Sequence, residues 1–339
     1  MLEWKYTQED LDKMQAWPLE RKIQVTQHRL IEWKLRHKGK IYISFSGGKD
    51  STVLADLTAR IYRAEKLMNG TVEPLTLLFV NTGLEYPEIR QFTQEFAEWL
   101  RTAYEIPVDL VTAVPEMRFP EVLRQRGYPV LSKSASRRVR RLKHEDLTQE
   151  LRDKLMAVPG DWKFLLDAPF ECTEECCAIM KKGPADRFAE ESGRVPIIGD
   201  MASESYIRRR LWFARGCNAF ECKLPKSKPM SFWTEQDVLR YLKTTGIPYA
   251  PVYGEIVEAG PEEPSGVLAL TGMHRTGCMF CMFGINQEQE PNRFQQMKET
   301  HPRQYRYCIG GGHFEDGMLT PDEDGLGIGK VLDYLGIPY

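Results

Sequence analysis

Apolar and polar positions follow two periods along this chain, and the change between them marks its elements. Ile41 to Phe45 and Leu75 to Val80 are near-continuous apolar runs of strand length. Strands buried on both faces of a parallel sheet read this way. Val108 to Thr112 and the stretch Val195-Pro-Ile-Ile-Gly199 continue the series. Between them, Ser51 to Leu67 and Glu88 to Arg101 carry the spacing of helices. Strands alternating with helices predict an α/β fold, a doubly wound, Rossmann-like parallel sheet with right-handed crossovers. Upstream, Leu19 to His37 is imperfectly amphipathic and predicts N-terminal helices that pack on the sheet. Downstream, Thr234 is a good N-cap, Asp237 supplies the acid of a capping box, and Gly246 ends that helix. The Ile247 to Tyr253 stretch that follows reads as packing.

The Pro-, Gly- and Glu-rich stretch from Ala259 to Ser265 reads as an exposed linker. After it comes a cysteine-rich helical module, with a short closing helix between Gly325 and Tyr339. The expected organisation is a helical segment at 1–39, a nucleotide-binding domain at 40–258 and a cysteine module at 265–339.

Composition narrows the classes. The chain has 339 residues with a net charge of −2, which argues against a uniformly basic nucleic-acid coat. No apolar run reaches membrane-spanning length, and the first residues lack a signal-peptide pattern. A cytoplasmic protein with no membrane partner is expected. In that compartment structural disulfides are rare, so eight cysteines point to metal or cluster ligation, or to thiol chemistry.

The chemistry centres on Ser46-Gly-Gly-Lys-Asp-Ser51, between a strand and a helix start. Gly47 and Gly48 let backbone approach a phosphate, and the N–H groups of the helix start point at it. Lys49 adds positive charge, while Ser46, Ser51 and Thr52 add hydroxyls. This is not the Walker A loop, which needs glycine where Ile43 stands and Ser or Thr where Asp50 stands. The loop Asn81 to Glu88 also follows a strand end, where ligands sit in open α/β sheets. Asn81 and Gly83 there are either ligand contacts or parts of a polar turn. Glu204 and Arg208, four apart, share a helix face and either hold a polar ligand or pair with each other. Lys133 to His144 is a basic block, read as a phosphate-binding surface or as a solvated face paired with Glu145, Asp146, Glu150 and Asp153.

Cys278-x-x-Cys281 is a tight chelate. With Cys177 and Cys308 it makes the expected four-thiolate set; the alternative takes Cys176 and Cys177 instead, leaving Cys308 free for sulfur handling. Soft thiolates suit zinc or iron–sulfur. Met279, Phe280, Met282 and Phe283 would shield such a centre.

Ser46-Gly-Gly-Lys-Asp-Ser51 resembles the pyrophosphate loop of the ATP pyrophosphatase superfamily, with its adenine nucleotide alpha hydrolase-like fold. Cys176-Cys-x-x-x-Lys181-x-x-Pro184, Glu204-Ser-x-x-Arg208, Trp233-Thr-Glu and Cys278-x-x-Cys281 resemble the cluster-bearing branch of the phosphoadenylyl-sulfate (PAPS) reductase family. Asn81-Thr-Gly is similar to that family's Asp-Thr-Gly segment, with Asn81 in the Asp position. The resemblance covers about Lys40 to Cys281. It implies ATP and Mg²⁺ at the loop, and it favours a [4Fe-4S] cluster over Zn²⁺. The family's reductases carry a nucleophilic cysteine in a C-terminal Glu-Cys-Gly-x-His segment, whereas Cys308 is the last cysteine here. The intact loop is similar to that of the ATP pyrophosphatases of DNA phosphorothioation and tRNA thiolation. The expectation is therefore adenylation of a substrate oxygen, then sulfur transfer, with Lys49, Asp50 and Arg208 catalytic. Ser46, Gly47, Gly48, Ser51, Asn81, Gly83 and Glu204 would join them around the nucleotide. DNA or tRNA, and a cysteine desulfurase or another sulfur donor, are the implied partners, and a homo-oligomer is compatible with the sequence. Sulfonucleotide reduction through Cys308 and a non-catalytic nucleotide-binding partner are the alternatives.

Overall fold

The structure, a computed structural model, describes residues 4–260 and 262–339. It divides the chain into two compact units that alternate along the sequence. The first comprises Met1–Asn81, Tyr86–Ala113 and Ala185–Thr276; the second comprises Thr82–Glu85, Val114–Pro184 and Gly277–Tyr339.

The first unit is built on a six-stranded sheet: β1 (Ile41–Ser44), β2 (Leu75–Val80), β3 (Val108–Ala113), β4 (Val195–Ile197), β5 (Asn218–Ala219) and β6 (Lys226–Ser227). The spatial order is β3-β2-β1-β4-β6-β5, and every neighbouring pair is parallel except β5 with β6. Ile43 of β1 lies opposite Leu77 on one flank and Ile197 on the other. That central place explains the unbroken apolar run, because both faces of β1 are covered. From β1 the chain moves outward through β2 and β3, then returns to the opposite side of β1 as β4. This reversal is a topological switch point, where loops diverge and leave a crevice beyond the strand ends.

The N-terminal helices Gln8–Gln15 and Leu19–Arg36 belong to this unit rather than standing apart. Lys22, 1% exposed, places Nζ 2.6 Å from Asp237 Oδ2, and Trp233 Nε1 donates to Thr26 Oγ1 at 2.9 Å. A lone buried ammonium would be costly, so this pair holds the helix Glu235–Thr245 against Leu19–Arg36. That helix has its expected caps: the Thr234–Asp237 box and left-handed Gly246.

The expected linker is the turn of a hairpin. Strands Ile256–Glu258 and Leu268–Leu270 pair antiparallel within the first unit, so the boundary falls later, between Thr276 and Gly277. Pro261, inside that stretch, lies outside the described residues. The second unit is also larger than a module at 265–339, because residues 114–184 fold with it. Val130–Leu131 pairs in parallel with Met282–Phe283, joining the two sequence segments by backbone hydrogen bonds. The same unit contains helices Lys133–His144, Arg293–Thr300, Pro302–Ile309 and Ile328–Leu335. Among the described residues, no helix is long and apolar enough to cross a membrane.

Candidate functional site

The Ser46–Ser51 loop leaves β1 at the switch point and enters the helix Lys49–Asn69. Gly47 takes φ +71°, and a Cβ on it would come within 2.9 Å of methyl groups of Ile89 and Thr93. Glycine is therefore required there twice over, for backbone angle and for space. The loop ties its own polar groups together. Ser46 N–H donates to Ser51 Oγ at 3.3 Å, Gly48 N–H to Ser46 Oγ at 3.3 Å, and Ser51 Oγ–H to the Gly48 carbonyl at 2.9 Å. Backbone after β4 packs on the same turn, since a Cβ on Gly199 would stand 3.3 Å from Asp50 and Ser51 backbone atoms.

Lys49 is buried, and its Nζ reaches Glu235 Oε1 at 3.1 Å and the His274 carbonyl at 3.2 Å. Burial pulls its pKa down, but Asp50, Tyr253 and Glu235 outweigh it, so the group is held above its ordinary range and stays cationic. Its backbone N–H donates to Tyr253 Oη at 3.1 Å. Asp50 is the reverse case. Burial, then Glu204 and Glu235, raise its carboxyl to about 6 against the pull of Lys49 and Arg208. Its Oδ1 is buried and has no hydrogen-bond partner.

Glu204 and Arg208 form the ion pair that their spacing allowed, and Arg208 Nη2 also lies 3.2 Å from Asp200 Oδ1. Lys228 Nζ shares Asp200 at 2.6 Å. The structure thus brings Glu204 and Arg208 to the field of Asp50, in a network of alternating charge. Asn81 directly follows β2, with its N–H on the Ala113 carbonyl at 2.8 Å. Gly83, at φ +75°, belongs to the second unit. There Thr82 bonds Glu85 by N–H and hydroxyl, and Leu84 accepts from Met279 N–H at 2.8 Å.

In the second unit, Cys176, Cys177, Cys278 and Cys281 act on one another electrostatically. Burial first, then neighbouring cysteines, raises Cys176; burial pushes Cys278 up to about 11 despite the nearby Lys181. Lys181 hydrogen-bonds Cys278. Burial pulls its pKa down, but Cys278, Glu85 and Cys177 together raise it. The Cys176–Cys177 pair runs into a π-helical turn, Ala178–Lys182, and Cys281 N–H closes on the Cys278 carbonyl at 3.2 Å. Met279, Phe280 and Met282 are buried.

Cys308 does not join this group. It is 0% exposed within the helix Pro302–Ile309, and burial alone raises its thiol, with no charged neighbour or cysteine acting on it. Cys176, rather than Cys308, is the thiol that shares a field with Cys177, Cys278 and Cys281. Among the described residues, no three His, Cys, Asp or Glu side chains converge as a single ion needs. Zinc wants its thiolates about 2.3 Å from one point. A four-iron cluster instead offers each thiolate its own iron.

The basic block is mostly neutralised. In the helix Lys133–His144, Arg140 is bidentate to Glu174 at 3.0 and 3.1 Å, and Arg141 pairs with Glu145 at 2.6 Å. Lys143 and His144 share Glu171. Two of these acids differ from those expected, because residues 171–174 fold back on the helix. Sequence reading also took Tyr253 for packing and gave no role to Glu235, His274 or Thr276. The only local hint was that Glu235 lies in Trp233-Thr-Glu.

A glycine loop with a buried lysine at the switch point of a parallel α/β sheet defines a nucleotide-binding class of domain. Sequence comparison narrows the class. The model of the phosphoadenosine phosphosulfate reductase domain matches residues 40–160 and 158–282, and the chain belongs to that family. Among curated proteins it is 22% identical over 284 residues to the uncharacterized protein MJ0973 of Methanocaldococcus jannaschii, covering 82% of this chain and 50% of that protein. The chain thus spans about half the length of this relative. Two solved structures are distantly similar at 15% identity. One is NMN synthetase from Francisella tularensis, at TM-score 0.32, covering 69% of this chain and 73% of that one. The other is the U34-tRNA thiolase NcsA from Methanococcus maripaludis with its [4Fe-4S] cluster, at TM-score 0.35, covering 86% and 78%.

Proposed function

We propose that this protein is an ATP pyrophosphatase that adenylates an oxygen of a nucleic acid so that sulfur can replace it. The observation that carries the reading is the loop. Its glycine turn, helix start and buried Lys49 converge at the end of β1. That arrangement suits a leaving pyrophosphate, whose developing charge the Lys49 ammonium and the helix-start N–H groups would stabilise. Asp50, with its unpartnered Oδ1, fits a Mg²⁺ ion held by one carboxylate and substrate phosphates. Bound there, Mg²⁺ would supply further neutralisation of phosphate charge. Arg208, held by Glu204 and Asp200, would steer the α-phosphate.

Nucleic acid as acceptor is supported by the helix Tyr206–Arg215. Tyr206 is 67% exposed, and Arg210 lies over its ring at 5.6 Å. An exposed aromatic beside arginines suits an unpaired base and its phosphate. Cys176, Cys177, Cys278 and Cys281 would hold a [4Fe-4S] cluster, which when bound would supply an iron site for sulfur. Reduction of a sulfonucleotide through Cys308 finds no support, because a nucleophilic thiol needs a lowered pKa and this one is raised by burial.

The test is pyrophosphate release by anaerobically purified protein, with ATP, Mg²⁺ and either tRNA or DNA. Lys49→Ala is expected to slow release about 100-fold or more, the usual cost of removing a group that stabilises transition-state charge. Release that survives Lys49→Ala, or sulfite from adenylyl sulfate without pyrophosphate from ATP, would refute the reading.

A further inference from the structure

We propose that Tyr253 and Thr276 form a hydroxyl pair that donates a hydrogen bond to the substrate's phosphate at the loop and makes the site selective for polyphosphate. The proposal deepens the loop reading above and rests on it.

Tyr253 is 2% exposed, yet its hydroxyl ends at the loop rather than in the apolar core. It lies 3.1 Å from Lys49 N and 2.6 Å from Thr276 Oγ1. Both hydroxyls flank Gly48, since a Cβ there would stand 3.2 Å from Tyr253 Oη and 3.4 Å from Thr276 Oγ1. The Lys49 ammonium lies 5.5 Å from the Tyr253 ring centre.

Counting hydrogens shows what is left over. The two hydroxyls carry two hydrogens, and one is spent between them. The Lys49 N–H uses an acceptor lone pair and consumes none. One hydrogen therefore remains, whichever hydroxyl donates to the other. It stands beside a backbone N–H, an ammonium and a helix start, and the partner that completes such a set is an anion. The pair is also held in place. Gly272 N–H donates to the Tyr253 carbonyl at 3.0 Å, and Met273 N–H to the Val252 carbonyl at 2.9 Å. These bonds lock the Tyr253 segment to the one bearing Thr276. Gly254 allows the approach, because a Cβ on it would lie 2.3 Å from Thr271 Oγ1. Donors fixed in advance lose little freedom on binding.

Calorimetric titration of the full chain with inorganic pyrophosphate, ATP and AMP tests this. Tyr253→Phe keeps the ring and removes the hydroxyl. It is expected to weaken pyrophosphate and ATP about tenfold, the value of one hydrogen bond to a charged group, and AMP less than twofold. Thr276→Val should cost a few-fold, because Tyr253 keeps the hydrogen that meets the phosphate and loses only the neighbour that orients it, and Thr276→Ser should bind like the wild type. The double variant should lose less than the product of the single losses, since Thr276 acts only through the Tyr253 hydroxyl. If Tyr253→Phe binds pyrophosphate as the wild type does while Lys49→Ala loses it, the proposal fails and the loop reading stands. If Lys49→Ala also keeps pyrophosphate, the loop reading fails and takes the proposal with it. Equal losses for AMP and pyrophosphate in Tyr253→Phe would mean a general disturbance and would overturn the proposal.

Discussion

Gly47→Ala tests whether the loop is as tightly built as its geometry indicates. Two costs combine. Gly47 sits at φ +71°, and an L-residue in the left-handed region costs about 1–2 kcal/mol. The new methyl would also press within 2.9 Å of Ile89 and Thr93 side chains. Both belong to the buried face of the helix Pro87–Tyr104 and cannot move without repacking it, an overpacking cost of about 1–3 kcal/mol. The total is about 2–5 kcal/mol. Gly70→Ala is the matched control. It closes the helix Lys49–Asn69 that the loop opens, at φ +77°, but a Cβ there meets nothing within 4 Å, so only the backbone cost of about 1–2 kcal/mol applies. For a domain of about 200 residues, each kcal/mol shifts the melting temperature by about 2–4 °C. Gly47→Ala should then melt about 4–20 °C lower, and Gly70→Ala about 2–8 °C lower. Thermal unfolding followed by circular dichroism reads both. Below its melting point, Gly47→Ala should also bind pyrophosphate more weakly, whereas Gly70→Ala should bind it normally. Equal melting shifts in the two variants would refute the packing argument, and normal pyrophosphate binding by Gly47→Ala would refute the link from turn geometry to ligand.

Two further predictions concern charge and metal. Asp50 binds its proton more tightly in the folded protein, at about 6 against an ordinary 3.8, so its contribution to stability is full below pH ~4 and is lost as pH rises through ~6. In chelator, Asp50→Asn should remove that slope and add up to about 3 kcal/mol near pH 7.5, measured by urea unfolding at pH 5 and 7.5; an unchanged slope would argue against a strained buried carboxylate. Cys278→Ala should abolish iron and acid-labile sulfide in anaerobically purified protein, while Cys308→Ala should keep both and lose about 1–2 kcal/mol of packing. Iron lost in Cys308→Ala but retained in Cys176→Ala would restore the ligand set that contains Cys308.

How much of this was legible in the chain follows from distance along it. The runs at Ile41 and Leu75 declared buried parallel strands because burial on both faces leaves no polar position to alternate with. The geometry of the glycine loop was legible because strand end, glycine turn and helix start are contiguous, so six neighbouring residues carry the whole local geometry. The Thr234–Asp237 box and Gly246 were legible for the same reason. What only the tertiary structure decided involves residues far apart. Tyr253 and His274 reach Lys49 from 204 and 225 positions downstream, and no local pattern distinguishes a tyrosine that packs from one whose hydroxyl meets a loop. The strand order that puts the loop at a switch point depends on which side of β1 receives β4, a choice made by packing. The cysteines show the same limit. Their spacing made a four-thiolate set plausible, but only folding residues 114–184 with 277–339 set Cys176 beside Cys278 and left Cys308 in the core. Sequence determined which residues could do chemistry, because side-chain type and short spacing are local properties. Tertiary structure decided which of them meet, because burial and pairing between distant segments are properties of the whole folded chain.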